Sequence, residues 1–207
     1  MADIEYTNDE NLTVASENDI FEIVYDKDAR YLQDLDVFIK FIKACEQEVR
    51  KHPDYSLFVD TVRETYMNQC QILGNISSSD AVIEAHHGPL FTLFDYCVII
   101  TNFLLKKEKK VTTFRVAKLV LDEHFDGNVQ VVMLSKTPHQ LIDTGEIFIN
   151  LNQGIGKVVN FIKKYKEGLD ETYIKKINAY IRMSEQHESS DNGLLELDGK
   201  TVNWSYR

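Results

Sequence analysis

The chain has 207 residues, 33 acidic and 23 basic side chains and a net charge of −10 at neutral pH. With 43% hydrophobic and 11% aromatic residues it can bury one sizeable core. The longest apolar stretch, Leu90–Leu105, is broken by Asp95, Thr101 and Asn102, which argues against a membrane span. The start, Met1–Asp19, is acidic and polar and lacks the pattern of a signal peptide. A soluble, cytoplasmic protein is the expectation. The cysteines, Cys45, Cys70 and Cys97, are odd in number, and each lies in an apolar periodic segment. They read as buried reduced thiols, and the absence of a C-x-x-C pair excludes a zinc ribbon.

The charge is uneven. Residues 1–83 carry 17 acidic and 7 basic side chains, residues 84–166 carry 8 and 11, and residues 167–207 carry 8 and 5. The acidity argues against a nucleic-acid enzyme, because phosphate rewards Lys and Arg. The middle third escapes that objection.

Residues 1–21 lack a period and read as a flexible acidic arm. Leu32, Leu35, Phe38, Ile39, Ile42, Cys45 and Val49 predict a helix over about 29–51. Pro53 ends it and opens a second, over about 54–68, marked by Tyr55, Phe58, Val59, Val62 and Tyr66. These two form an N-terminal helical region, 22–68. Cys70–Asn75 and Ala81–His86 are short apolar runs around Ser77-Ser78-Ser79-Asp80, predicting two strands joined by a turn. Helices are expected over 90–106 and from Thr112 or Thr113 to about His124, joined by the basic connector Lys106–Lys110, a solvated turn. Gln130–Leu134 reads as a strand. Thr137-Pro138 reads as the start of a helix that Gly145 ends, and Glu146–Asn150 as another strand. Helices over 156–166 and 170–184 follow, with a terminal hairpin over 194–204 around Asp198-Gly199. The middle region, 69–168, is taken as the core unit, and 169–207 as a C-terminal helix and hairpin.

Five polar residues in that middle region form a pattern. His86 and His87 end a predicted strand, Gln130 follows after 42 residues, His139 after 8 more and Asp143 after 3 more. On a helix, His139 and Asp143 project from one face and could share a divalent metal. In a strand, neighbours point to opposite faces, so one of the two imidazoles can face a metal while the other faces a substrate. A metal that polarises a phosphodiester, together with an imidazole that activates water, makes a hydrolytic unit.

The stretches EAHHGPLFTLFD (84–95) and LSKTPHQLIDTGEIFI (134–149) resemble the HNH, or ββα-metal, endonucleases, including HNH-like proteins of tailed bacteriophages. The family's Asn falls on Gln130 and its last His on Asp143. The resemblance implies an α+β fold: a ββα-metal core with a helical insertion, flanked by the N-terminal helical pair and by C-terminal helices plus a terminal hairpin. It implies a metal-dependent phosphodiesterase acting on double-stranded DNA in the host cytoplasm, with one divalent ion, Mg²⁺, Mn²⁺, Zn²⁺ or Ni²⁺. His87 would be the general base and Gln130 an orienting amide. His86, His139 and Asp143 would hold the metal, and Glu84 would orient an imidazole as an outer carboxylate. Lys157, Lys163 and Lys164 would contact phosphate.

A second reading keeps the scaffold without hydrolysis, as a phage accessory, structural or host-inhibiting binding protein. The acidic region 1–83 would then be the place to look for a protein interface. His52 and His124 adjoin helix ends, where a cation is favoured, and are given no chemistry. Asp95, inside an apolar helix, is expected to pair with a neighbour.

Overall fold

The computed structural model describes residues 22–65, 69–144 and 147–187. Its elements run β1 (Val24–Asp26), α1 (Leu35–Lys51), α2 (Pro53–Thr65), β2 (Ile83–His87), α3 (Leu93–Leu105), β3 (Lys110–Thr112), α4 (Thr113–Phe125), β4 (Val131–Ser135), α5 (Lys136–Asp143), α6 (Val158–Lys164) and α7 (Glu171–His187). The fold is α+β: helices around two small antiparallel ladders, β1 with β3 and β2 with β4. The predicted arm 1–21 and the predicted hairpin 194–204 lie outside the described residues.

The helix ends follow their caps. Asp34 accepts the Asp36 N–H at 2.8 Å, so α1 starts at Leu35, later than the predicted residue 29. The chain before it makes a separate 3-10 turn at Arg30–Leu32. The α1 stripe Phe41, Ile42, Cys45 and Val49 enters the core. At the start of α3, Thr92 and Asp95 form a reciprocal box: Asp95 N–H donates to Thr92 Oγ1 at 3.2 Å, and Thr92 N–H to Asp95 Oδ2 at 2.9 Å. Asp95 also accepts from Tyr173 Oη at 3.1 Å and Lys176 Nζ at 2.6 Å, tying α7 to α3. Helix α5 starts at Lys136, one residue before the predicted cap. Pro138 still lies in the first turn, where its missing N–H costs nothing.

The β2–β4 ladder pairs Glu84 with Leu134, His86 with Val132 and His87 with Val131, and α5 follows β4 without a break. Between the two strands, residues 88–129 hold α3, β3 and α4. Every residue of β4 is buried. Its second row of backbone groups therefore needs partners, although among the described residues no third strand joins this ladder. Val131 exchanges hydrogen bonds with Ile155, at 2.9 and 2.7 Å. Met133 O accepts from Gln71 N–H at 2.8 Å, and Met133 N–H donates to Gln71 Oε1 at 2.6 Å.

This closure corrects two predicted strands. Cys70–Asn75 is not a strand but a set of turns: Gly74 N–H returns to Cys70 O at 2.8 Å, and Gln71 alone, through main chain and side chain, does the pairing. Nor do Ile147–Asn150 form a strand. They lead into a 3-10 turn at Leu151–Gln153, capped by Asn150 and Gln153. Gln71 Nε2 donates to Gln153 O at 2.8 Å, and Gln130 Nε2 to Leu151 O at 2.9 Å, fixing this turn against β4. Helix α7 covers it: Asn150 Nδ2 donates to Ser184 O at 2.9 Å and Tyr180 Oη to Ile149 O at 2.8 Å. The pair β1–β3 was not predicted. Its strands have three residues each, too short for a visible alternation.

Replacing Gln71 with Leu removes the acceptor of the Met133 N–H and the donor to Gln153 O, leaving both buried. The expected loss is roughly 2–5 kcal/mol, read from the urea midpoint at unchanged slope, whereas Lys175→Ala on the exposed face of α7 stays within about 0.5 kcal/mol.

Candidate functional site

Strand alternation divides the two adjacent histidines. Ile83, Ala85 and His87 face the core, while Glu84 and His86 face α5. On the α5 side, the His86 and His139 rings lie 4.7 Å apart, edge to face. His139 Nδ1 meets Glu84 Oε2 at 2.6 Å. The side chains of His139 and Glu84 are 26% and 43% exposed, so this cluster reaches solvent. Asp143 closes α5 four residues beyond His139; its side chain lies outside the described residues. Among the described residues, no group of three or more His, Cys, Asp or Glu side chains is arranged to hold a metal ion.

His87 is 6% exposed and lies away from that cluster. Its Nε2 sits 2.9 Å from Nε2 of His124, and its ring stacks on Tyr55 at 5.9 Å. The direction of this bond follows from its far end. His124 Nδ1 lies 2.7 Å from Val120 O, and a carbonyl only accepts, so His124 carries its proton on Nδ1. In the neutral ring His124 Nε2 is then the acceptor, and His87 Nε2 must donate. Burial, with the neighbouring His124, Arg50 and His86 charges acting the same way, holds His87 well below its ordinary value. Burial likewise lowers His124 to about 4, against the smaller opposing pull of its bond to Val120 and of Glu123.

The remaining predicted residues are dispersed. Gln130 is fully buried at the start of β4. Its N–H donates to Tyr96 Oη at 2.9 Å, its Nε2 serves Leu151 O, and its Oε1 has no partner among the described residues. A Cβ on Gly154 would lie 2.1 Å from the Gln130 amide nitrogen, so only glycine allows this packing. Lys164 pairs with the buried carboxylate of Glu123, which also accepts from Tyr165 Oη at 2.9 Å and Asn128 Nδ2 at 2.7 Å. Lys157 and Lys163 are exposed on either end of α6.

His124 was given no chemistry in the sequence, yet it locks His87 in the core. It is neutral rather than the helix-end cation the sequence suggested. The available signal was its place in the stripe Ala117, Val120, Leu121 and His124, spaced i, i+3, i+4, i+7. Gln71 carried no such signal, because its partners lie 62 and 82 residues away.

The chain belongs to the bacteriophage G278-like virion protein family, which matches residues 1–203. It is a phage protein, and no described helix is long and apolar enough to cross a membrane. Among curated proteins it is similar to the eukaryotic translation initiation factor 2-alpha kinase 1 of Plasmodium falciparum, at 24% identity over 149 residues. That match takes in 72% of this chain and 9% of the kinase, so the chain spans under a tenth of that relative's length. No solved structure matches.

The buried pair predicts an acid limb of stability. Between the ordinary histidine value of 6.5 and about 4, the unfolded chain takes up a proton at position 124 that the folded chain refuses. Stability is therefore full above pH 6.5 and is lost as the pH falls towards 4, by up to about 1.4 kcal/mol per pH unit for each such histidine. His87, lowered for the same reason, adds in the same direction. In urea unfolding, His124→Gln starts less stable at neutral pH but declines less steeply over that window.

Proposed function

We propose that the chain serves the phage as a non-hydrolytic virion component, in which the Glu84, His86 and His139 cluster is a binding surface rather than a cleavage site. The observation that carries this reading is the state of His87. A general base needs a lone pair within reach of the attacking water. His87 instead lies inside the core and uses Nε2 to donate to His124. Gln130, the candidate orienting amide, is likewise committed to Leu151 O inside the core. Membership of a virion protein family supports the same reading. The acidic region 1–83 is the proposed interface towards a protein partner.

A specific geometry favours the second reading, a metal-dependent phosphodiesterase of HNH type acting on DNA. Strands β2 and β4 pair, β4 runs directly into α5, and the His86 and His139 rings lie 4.7 Å apart. By donor type, the two imidazoles with the Asp143 carboxylate suit a divalent cation, with Glu84 holding the His139 ring from behind. On this reading another group than the buried His87 has to move the proton.

The two readings separate in one assay. Supercoiled plasmid incubated with the purified chain and Mg²⁺, Mn²⁺, Zn²⁺ or Ni²⁺ is expected to stay supercoiled, while mass spectrometry of density-purified phage particles finds the chain in them. Metal-dependent nicking, reduced about 10²–10⁴-fold in rate by His139→Ala, would instead establish the hydrolytic reading.

A further inference from the structure

The packing of the 3-10 turn Lys166–Gly168, which follows α6, against α3 builds a basic face that the linear sequence divides in two. Lys106 and Lys107 follow the end of α3, and Lys163, Lys164 and Lys166 lie at the end of α6. All five are exposed. An aromatic pair joins the two segments: the Phe103 and Tyr165 rings meet edge to face at 5.1 Å. Lys107 Nζ stands 3.8 Å over the Phe103 ring, and Lys164 Nζ 5.6 Å over Tyr165. The close approach depends on Gly168, where a Cβ would stand 2.1 Å from Ile99 O.

The anionic neighbours do not neutralise this face. Glu108 is taken by Arg115 at 2.7 Å. Glu123 and Asp126 are served by Lys164. Glu167 is the remaining acid beside Lys166. Lys106, Lys107, Lys163 and Lys166 have no carboxylate partner among the described residues.

We propose that this face is the docking site of the chain's own N-terminal segment, residues 1–21. The charges are complementary: Asp3, Glu5, Asp9, Glu10, Glu17 and Asp19 stand in that segment with no Lys or Arg. The length of the segment lets it reach the face. Residues 22–23 lead into β1, where Ile23 O accepts from Thr113 N–H at 2.9 Å. Val24 pairs with Thr112 on β3, so the segment enters at the far end of this three-residue strand from Lys106 and Lys107 and has to turn back along it. Twenty-one extended residues span roughly 70 Å, more than the width of a domain of this size. The contact is electrostatic and reversible. The inference is independent of how the histidine cluster is read.

The test uses the full chain with a nitroxide on Asn8→Cys. Native Cys45, Cys70 and Cys97 are buried, so the label is selective. At about 0.1 M salt, amides at 106–107 and 163–168 should lose intensity through paramagnetic relaxation, and the loss should vanish near 1 M salt, where screening is short-ranged. The triple variant Lys106→Glu, Lys163→Glu, Lys166→Glu, with its circular dichroism unchanged, should reduce the loss several-fold. Lys175→Glu, on α7, should not. A mixture of spin-labelled unenriched chain with unlabelled ¹⁵N chain should show no loss. Loss in that mixture would assign the contact to a second copy and overturn the proposal. So would loss confined to other amides, loss that persists in high salt, or no loss at all.

Discussion

A ladder of only two strands at the centre of a core leaves a row of backbone groups on each strand without a strand partner. β4 is buried along its whole length, so each such group left open would cost about 1–3 kcal/mol. The chain meets that constraint with pieces that are not strands. Gln71 reaches Met133 with both main chain and side chain, and Ile155 pairs Val131. Those two anchors fix the turns 70–76 and the segment 149–155, and the second of these is the bed on which α7 lies through Asn150, Ile149 and Ser184. β2 is closed at one point in a related way, where Arg63 donates to Ile83 O through Nε at 3.0 Å and Nη2 at 2.7 Å.

The same ladder sets the chemistry. Once β2 is paired in register with β4, alternation sends His86 towards α5 and His87 into the core. Two identical side chains, adjacent in sequence, become a partly exposed imidazole and a neutral buried donor. The buried one is held by a directional chain running from His87 through His124 to Val120 O, against Tyr55 and Phe58. The difference between them is one of solvation and partner, not residue type, and it decides which of them reaches the surface.

Much of this was legible in the chain itself. Periodic stripes marked α1, α2 and α7, an almost wholly apolar run marked α3, and the apolar runs at 81–86 and 130–134 marked β2 and β4. The pair Thr112-Thr113 marked the start of α4, which Thr112 caps, because capping is a local interaction that needs only neighbours in sequence. The pairing of Asp95 inside an apolar helix was also foreseeable, since an unpaired buried carboxylate is too costly to keep. The two stretches read as a motif, 84–95 and 134–149, begin in the paired strands β2 and β4 and hold Glu84, His86 and His139, which the fold brings together.

Only the tertiary structure could decide which face of β2 is the core face, because that depends on what packs against the ladder and not on the strand's own pattern. It alone placed His124 against His87 across 37 residues, Gln71 against Met133 across 62 and Lys164 against Glu123 across 41. Contacts of that separation leave no periodic trace in the sequence: a Gln in a turn reads the same whether it faces water or closes a strand. The alternation of a strand, the stripe of a helix and the spacing of a cap are properties of the chain alone. Burial, tautomer and partner belong to the folded molecule, because they are set by groups that only packing brings within 3 Å.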